Sequence, residues 1–170
     1  MLANAMDEKR VLHCLIEIPK GSRNKYEWDA ELQAIKLNRF LFTSVAYPTD
    51  YGFVTDTLGP KGEALDSLVC VSAPTFPGCL IGVRPVAVLR MDDEEGQSDK
   101  LVCVPCDDPN WDHVEGLDGL PVQLRSEIEH FFSIYKQPEG KEVRIHGWED
   151  RDAADTAIDE GRRRYAEEHS

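Results

Sequence analysis

From Val11 to Ile18 apolar and polar residues alternate, with Leu12, Cys14, Ile16 and Ile18 on one face and Glu17 on the other. A period of two predicts a half-buried strand, which Pro19-Lys20-Gly21-Ser22 then breaks. Short strands are predicted around Tyr26–Trp28 and Ala34–Leu37, followed by a loop rich in aromatics and proline from Phe40 to Phe53. Leu68–Val71 reads as a fully apolar strand and Leu80–Leu89 as a longer one. A hairpin-like segment, Asp92–Asp99, leads into Lys100–Val104. The period then changes. Leu120, Leu124, Ile128, Phe131, Phe132 and Tyr135 recur at three- and four-residue steps, which predicts an amphipathic helix. A second helix is predicted from Ala153 to about Glu167, with its alanines, Ile158 and Tyr165 facing inward. Arg162, Arg163 and Arg164 fall near its C-terminus, where cations suit the helix dipole. Many short strands followed by helices imply an α+β, mainly β domain: a small closed barrel with peripheral helices, one of them C-terminal.

No repeat, low-complexity tract or linker divides the 170 residues, so a single domain over 1–170 is expected. At 41% hydrophobic the composition is that of a globular chain. Against 19 basic residues stand 32 acidic ones, a formal charge of −13. That balance opposes nucleic-acid and anionic-lipid partners and suits a protein that collects cations, although a solvated acidic face accounts for the same charge. No apolar run approaches the roughly 20 residues a membrane span needs. Met1 to Arg10 carries Asp7 and Glu8 and no apolar stretch of signal-peptide length, so a cytoplasmic location is expected.

The five cysteines are odd in number, and four lie in apolar strand-like runs, which favours buried reduced thiols over disulfides. Cys103 and Cys106 have C-x-x-C spacing but open no helix, so a redox role is not expected. His13, His113, His130 and His146 lack the mutual spacing of metal ligands.

Charged and phenolic groups recur in the loops and on the polar strand faces. The segments are I-E-I-P-K-G, K-Y-E, Y-P-T-D-Y-G-F, F-P-G, R-P-V, W-D-H-V and H-F-F-x-x-Y-K. In this order, from about Val11 to Trp148, they resemble the family I inorganic pyrophosphatases. The resemblance implies a five-stranded OB-like closed β-barrel with helices on one side, a hexamer as in bacterial members, and the reaction PPi + H₂O → 2 Pi. In such phosphoryl transfer, divalent ions and cationic side chains neutralise phosphate charge while a water attacks.

By that resemblance Lys25, Arg39, Tyr51, Lys100, Tyr135 and Lys136 hold phosphate, Tyr51 also having a catalytic part, and Tyr47 is a supporting phenol. Asp66 and Asp93 are metal ligands, Glu17 helps bind a metal carried in with the substrate, and Glu27 is an outer carboxylate. Oxygen ligands of this kind suit Mg²⁺. The chain departs from the family elsewhere. Where the family signature reads D-x-D-P-x-D, residues 61–66 place Lys61, Glu63 and Ala64 at the first Asp, the second Asp and the Pro. Glu63 thereby becomes an altered general base. In the later D-x-x-x-x-D-x-K pattern the second Asp is Ser98, with Asp99 beside it.

Asp to Lys changes the local charge by +2 and Asp to Ser by +1, in all +3. A divalent ion about 4 Å from the Lys61 ammonium would meet roughly 8 kcal/mol of repulsion at an effective dielectric near 20, less if the lysine swings away. The extra methylene of Glu63 moves its carboxylate by about an angstrom, which can cost about a hundredfold in rate. Two readings follow. One is a pyrophosphatase of strongly reduced activity, its Mg²⁺ weakly held or replaced by Mn²⁺. The other is a pseudo-enzyme that binds pyrophosphate or phosphate, or supports an oligomeric partner. If the tight metal sites are lost while the anion pocket survives, Lys61 is expected in the vacated metal position, paired with Asp66. Nucleic-acid binding by an OB-like barrel is a third function, opposed by the charge.

Overall fold

The computed structural model describes residues 11–170, so the expectation for Met1 to Arg10 lies outside them. The strands are β1 (Leu12–Ile18), β2 (Asn24–Asp29), β3 (Ala34–Phe40), β4 (Asp50–Val54), β5 (Asp66–Val69), β6 (Leu80–Asp93), β7 (Gly96–Gln97), β8 (Lys100–Pro105) and β9 (Arg144–Asp150). Two α-helices, α1 (Val122–Ile134) and α2 (Arg151–Glu168), follow the β-rich part, with β9 between them. No described helix is long and apolar enough to cross a membrane.

Pairing runs β1–β4–β5–β8–β6 and returns from β6 to β1, so five strands close into the expected ring. Only β5–β8 is parallel within that ring. The short β7 and β9 extend β6, while β2 and β3 form a separate ribbon.

Alternation along β5, β6 and β8 sorts side chains between two apolar clusters. Leu68, Leu89 and Val102 join the cluster beneath α1, with Ile128, Phe131 and Phe132. Val69, Val88 and Leu101 join the other, which α2 covers with Ala154 and Ile158. Burial on both faces is why Leu68–Val71 and Leu101–Val104 read as continuous apolar runs. Cys14, Cys70 and Cys103 lie inside these clusters, and all five thiols are free. Burial pushes the Cys70 thiol up to about 12.

Three local expectations need correction. The loop read as far as Phe53 ends earlier, because Asp50–Val54 forms β4. Asp50, fully buried, accepts hydrogen bonds from the Lys20 and Thr75 amides (2.8 and 3.2 Å) and fixes its start. Strand β9 was not foreseen. Its polar sequence is stabilised by pairing with the far end of β6, which accordingly runs on to Asp93. Helix α2 continues to Glu168 and has no base in its last turn. Its arginines instead meet carboxylates one turn away, Arg164 at Glu160 (3.6 Å) and Arg163 at Glu167 (4.0 Å).

The loop between β4 and β5 carries Lys61 and Glu63, and its own backbone holds its shape. The Gly59 amide donates to the Glu63 carbonyl (2.6 Å) and the Gly62 amide to the Gly59 carbonyl (3.0 Å), with Gly62 at φ +85°. Helix α2 braces the loop from behind. The Leu58 amide donates to the Gly161 carbonyl (3.0 Å), and a Cβ at Gly161 would stand 2.7 Å from Leu65 Cδ1.

Candidate active site

At one end of the ring lies a cleft of about 890 Å³. Every residue named above as substrate-binding, catalytic or metal-binding lines it, as do the four departures. The barrel register explains part of this. Parallel pairing of Ser67 with Leu101 sets Asp66 beside Lys100, and antiparallel pairing of β2 with β3 sets Lys25 opposite Arg39.

Four of the cations that line the cleft belong to the phosphate-holding set expected from the sequence. Lys100, only 3% exposed, donates to Asp66 Oδ2 (2.8 Å) and Ser98 Oγ (3.0 Å). Its ammonium also stands 5.5 Å from the Tyr51 ring centre and 5.8 Å from that of Phe132. Lys136, 7% exposed, donates to both Glu94 oxygens (3.1 and 3.2 Å) and lies 3.6 Å from Asp93. Arg39 is gripped by Glu139 through Nε and Nη2 and by Asn38 Oδ1 (2.8 Å). Among the described residues Lys25 has no carboxylate within ion-pair distance. Its burial, and then the charges of Arg39, Lys136 and Lys100, lower its pKa from the ordinary lysine value. Cations crowded together in this way favour an anion between them.

Tyr47, Tyr51 and Tyr135 form an aromatic wall with Phe131 and Phe132. Burial above all pushes the three phenols up, so each keeps its proton and serves as a hydrogen-bond donor.

The carboxylates are less free than their number suggests. Asp66 is engaged by Lys100. Burial raises Asp93, but the Glu95 amide, Lys136 and the Ser98 hydroxyl outweigh it and hold it below the usual range. Asp99 belongs to another cluster. It accepts from Arg90 Nη1 (2.7 Å), the Met91 amide (3.1 Å) and Gln97 (2.6 Å), so it does not replace the carboxylate absent at Ser98. Glu63 and Lys61 lie exposed at the lip, and Ala64 is half-buried behind them.

Lys61 does not pair with Asp66. Its ammonium donates to the Glu95 carbonyl (2.8 Å) across the mouth of the cleft, beside Gly96. Asp66 is already taken by the buried Lys100, a shorter reach from the neighbouring strand. Being exposed and turned aside, Lys61 repels a divalent ion by much less than the 4 Å figure.

Hard oxygen donors of the kind Mg²⁺ prefers are present in Glu17, Glu63, Asp66 and Asp93. However, no three His, Cys, Asp or Glu side chains converge to hold a metal among the described residues. Sequence reasoning missed the internal counter-ions Glu94 and Glu139. Glu94 lies in the acidic run Asp92–Glu95, and Glu139 in a single turn ended by the left-handed Gly140. Neither carries a local signal of its partner.

Glu17 has a testable pH signature. Burial, against the stabilising Trp28 amide (2.8 Å), raises its pKa from 4.5 to about 7. The native state thus holds this proton more tightly than the unfolded chain does. The resulting stability is complete below about pH 4.5 and lost as pH rises through about 7. In chelator, wild type should lose on the order of 1–3 kcal/mol relative to Glu17→Gln between these pH values, read as a falling difference in thermal midpoint. A constant difference would show that Glu17 ionises normally.

Fold and cleft together define a five-strand barrel with one cleft lined by lysine, arginine, tyrosine and carboxylate side chains. The sequence profile described as Inorganic pyrophosphatase matches residues 14–166. An inorganic pyrophosphatase of Methanosarcina acetivorans is 52% identical over 164 residues, 96% of this chain and 98% of that one. One from Streptomyces coelicolor is 51% identical over 154 residues, 90% of this chain and 94% of that one. The crystal structure of inorganic pyrophosphatase from Thermus thermophilus matches with TM-score 0.88 at 42% identity, covering 91% of this chain and 90% of that chain. The chain belongs to the inorganic pyrophosphatase family.

Proposed function

We propose that the chain binds pyrophosphate in this cleft and hydrolyses it to two phosphates, at a rate strongly reduced by Lys61, Glu63 and Ser98. The observation that carries the reading is the convergence of Lys25, Arg39, Lys100 and Lys136 on one cavity walled by protonated phenols. Guanidinium and ammonium groups recognise phosphate oxygens through charge-assisted hydrogen bonds, and buried phenols add donors without charge. In the reaction water bonds to phosphorus, the bridging P–O bond breaks, and the cations stabilise charge gathering on the departing phosphate. Glu63 at the lip takes the water's proton. A divalent ion, Mg²⁺ or Mn²⁺, would arrive with the substrate and supply further charge neutralisation beside Glu17, Asp66 and Asp93. A cytoplasmic homo-oligomer, a hexamer as in bacterial relatives, completes this reading.

The engagement of Asp66 and Asp93 by lysines favours a second reading, in which the cleft binds pyrophosphate or phosphate without turnover. Phosphate release from pyrophosphate in Mg²⁺ and in Mn²⁺ separates the two. The expected result is measurable release well below about 10 s⁻¹, a typical enzymatic rate. Faster turnover in Mg²⁺ overturns the reduced-rate reading, and binding without release establishes the second.

A further inference from the structure

Arg39 is held in the cleft by a residue that stands outside it. Glu139 does not line the cavity, yet its two carboxylate oxygens accept from Arg39 Nε and Nη2, the latter at 3.1 Å, along one edge of the guanidinium. Asn38 Oδ1 takes a third N–H, from Nη1 (2.8 Å). A guanidinium carries five N–H donors in a rigid plane, so one on each Nη remains for a ligand. Their directions are set by the three that are bound. Arg39 needs such support because the β2–β3 ribbon that carries it pairs with no strand of the ring. Glu139 belongs to the turn that follows α1, directly after Tyr135 and Lys136. That turn is itself fixed. The Glu139 and Lys141 amides donate to the Lys136 carbonyl (3.0 and 3.3 Å), and Gly140 closes it at φ +74°. The ion pair, with the Glu139 side chain 12% exposed, thus holds Arg39 against the segment that bears Lys136.

We propose that Glu139 is a positioning residue for the hydrolysis, aiming the free N–H groups of Arg39 at the phosphate that gathers charge in the transition state. It touches no substrate itself. This rests on the hydrolytic reading above and leaves the part of the divalent ion unchanged. Charge alone acts the other way, because a carboxylate beside Arg39 weakens the attraction of the cleft for any anion. The favourable contribution of Glu139 is therefore to direction, and misplacing a transition-state contact by about an angstrom can cost about a hundredfold in rate.

The test is steady-state phosphate release from pyrophosphate in Mg²⁺ by Glu139→Gln, which fills the same space with one acceptor oxygen in place of two and no charge. Its kcat should fall at least about tenfold, while KM stays within about twofold of wild type or drops. Glu139→Asp keeps the charge and both acceptors but draws them back by about an angstrom, and its kcat should lie between the two. In an Arg39→Ala background Glu139→Gln should lower kcat no further, since its effect passes through Arg39. Far-UV circular dichroism and thermal midpoints establish that each variant is folded. A kcat within about twofold of wild type, or above it, overturns the inference and leaves the hydrolytic reading intact. That outcome is read in Glu139→Gln, or in Glu139→Asp if the glutamine variant does not fold. A KM raised more than about threefold, or a further loss in the Arg39→Ala background, overturns the inference too. Absence of release by wild type overturns the hydrolytic reading and this inference with it.

Discussion

Restoring aspartate at positions 61, 63 and 98 together should raise Mg²⁺-dependent phosphate release at least about a hundredfold. Lys61→Asp changes local charge by −2, Ser98→Asp by −1 and Glu63→Asp by zero, in all −3, on the side of the cleft that holds Asp66 and Asp93. Two new carboxylates would then stand near two that are now neutralised by Lys100 and Lys136. Shortening Glu63 by one methylene moves its carboxylate by about an angstrom, a displacement that alone can be worth about a hundredfold. Ser98→Asp by itself should do little. Its carboxylate would lie within reach of Lys100, now 3.0 Å from the Ser98 hydroxyl, and form one more ion pair. The three changes act on one site, so their effects should exceed the sum of the singles. Initial rates over a Mg²⁺ series give the answer. A triple variant no faster than wild type would mean that the present residues already support full turnover, or that the limit lies elsewhere in the cleft.

The largest expected effect on stability falls at Gly52. It pairs with Ile16 across β1 and β4, and a Cβ there would stand 1.9 Å from the Leu15 carbonyl oxygen and 2.9 Å from Ile16 Cα. Both obstacles are backbone, so no side-chain rotation relieves the clash. Gly52→Ala must push β4 away from β1, opening the ring between Tyr51 on one side and Phe53 on the other. A loss of about 4 kcal/mol or more is expected, seen as a thermal midpoint lower by about 10 °C or as failure to accumulate folded protein. A midpoint within about 2 °C of wild type would show that the strands separate at little cost.

The barrel was legible because its signals are local. The alternation of Leu12, Cys14, Ile16 and Ile18 marks a strand, and the spacing from Leu124 to Phe132 marks a helix face. What escaped depends on partners distant in sequence. The residues Arg144–Asp150 become a strand only because β6 runs on past the end of β1 and leaves that edge open to them. The residues that gather in the cleft were visible through ordered motifs, each weak alone. The orientation of Lys61 was not visible, because it depends on a carbonyl 34 residues away and on prior engagement of Asp66 by Lys100. Glu139 reaches Arg39 across 100 residues, a separation at which charge pattern carries no address.

The backbone bracing between the 55–65 loop and α2 separates the shape of the loop from the chemistry it carries. Leu58, Gly59 and Gly62 hold the loop through amides and carbonyls, and Gly161 admits Leu65 at close range, so none of this framework uses the side chains of Lys61 or Glu63. The loop resembles a socket whose contacts can be exchanged without disturbing the wall around it. Side chains at 61 and 63 can therefore be exchanged to change the chemistry of the cleft mouth while the barrel stays intact.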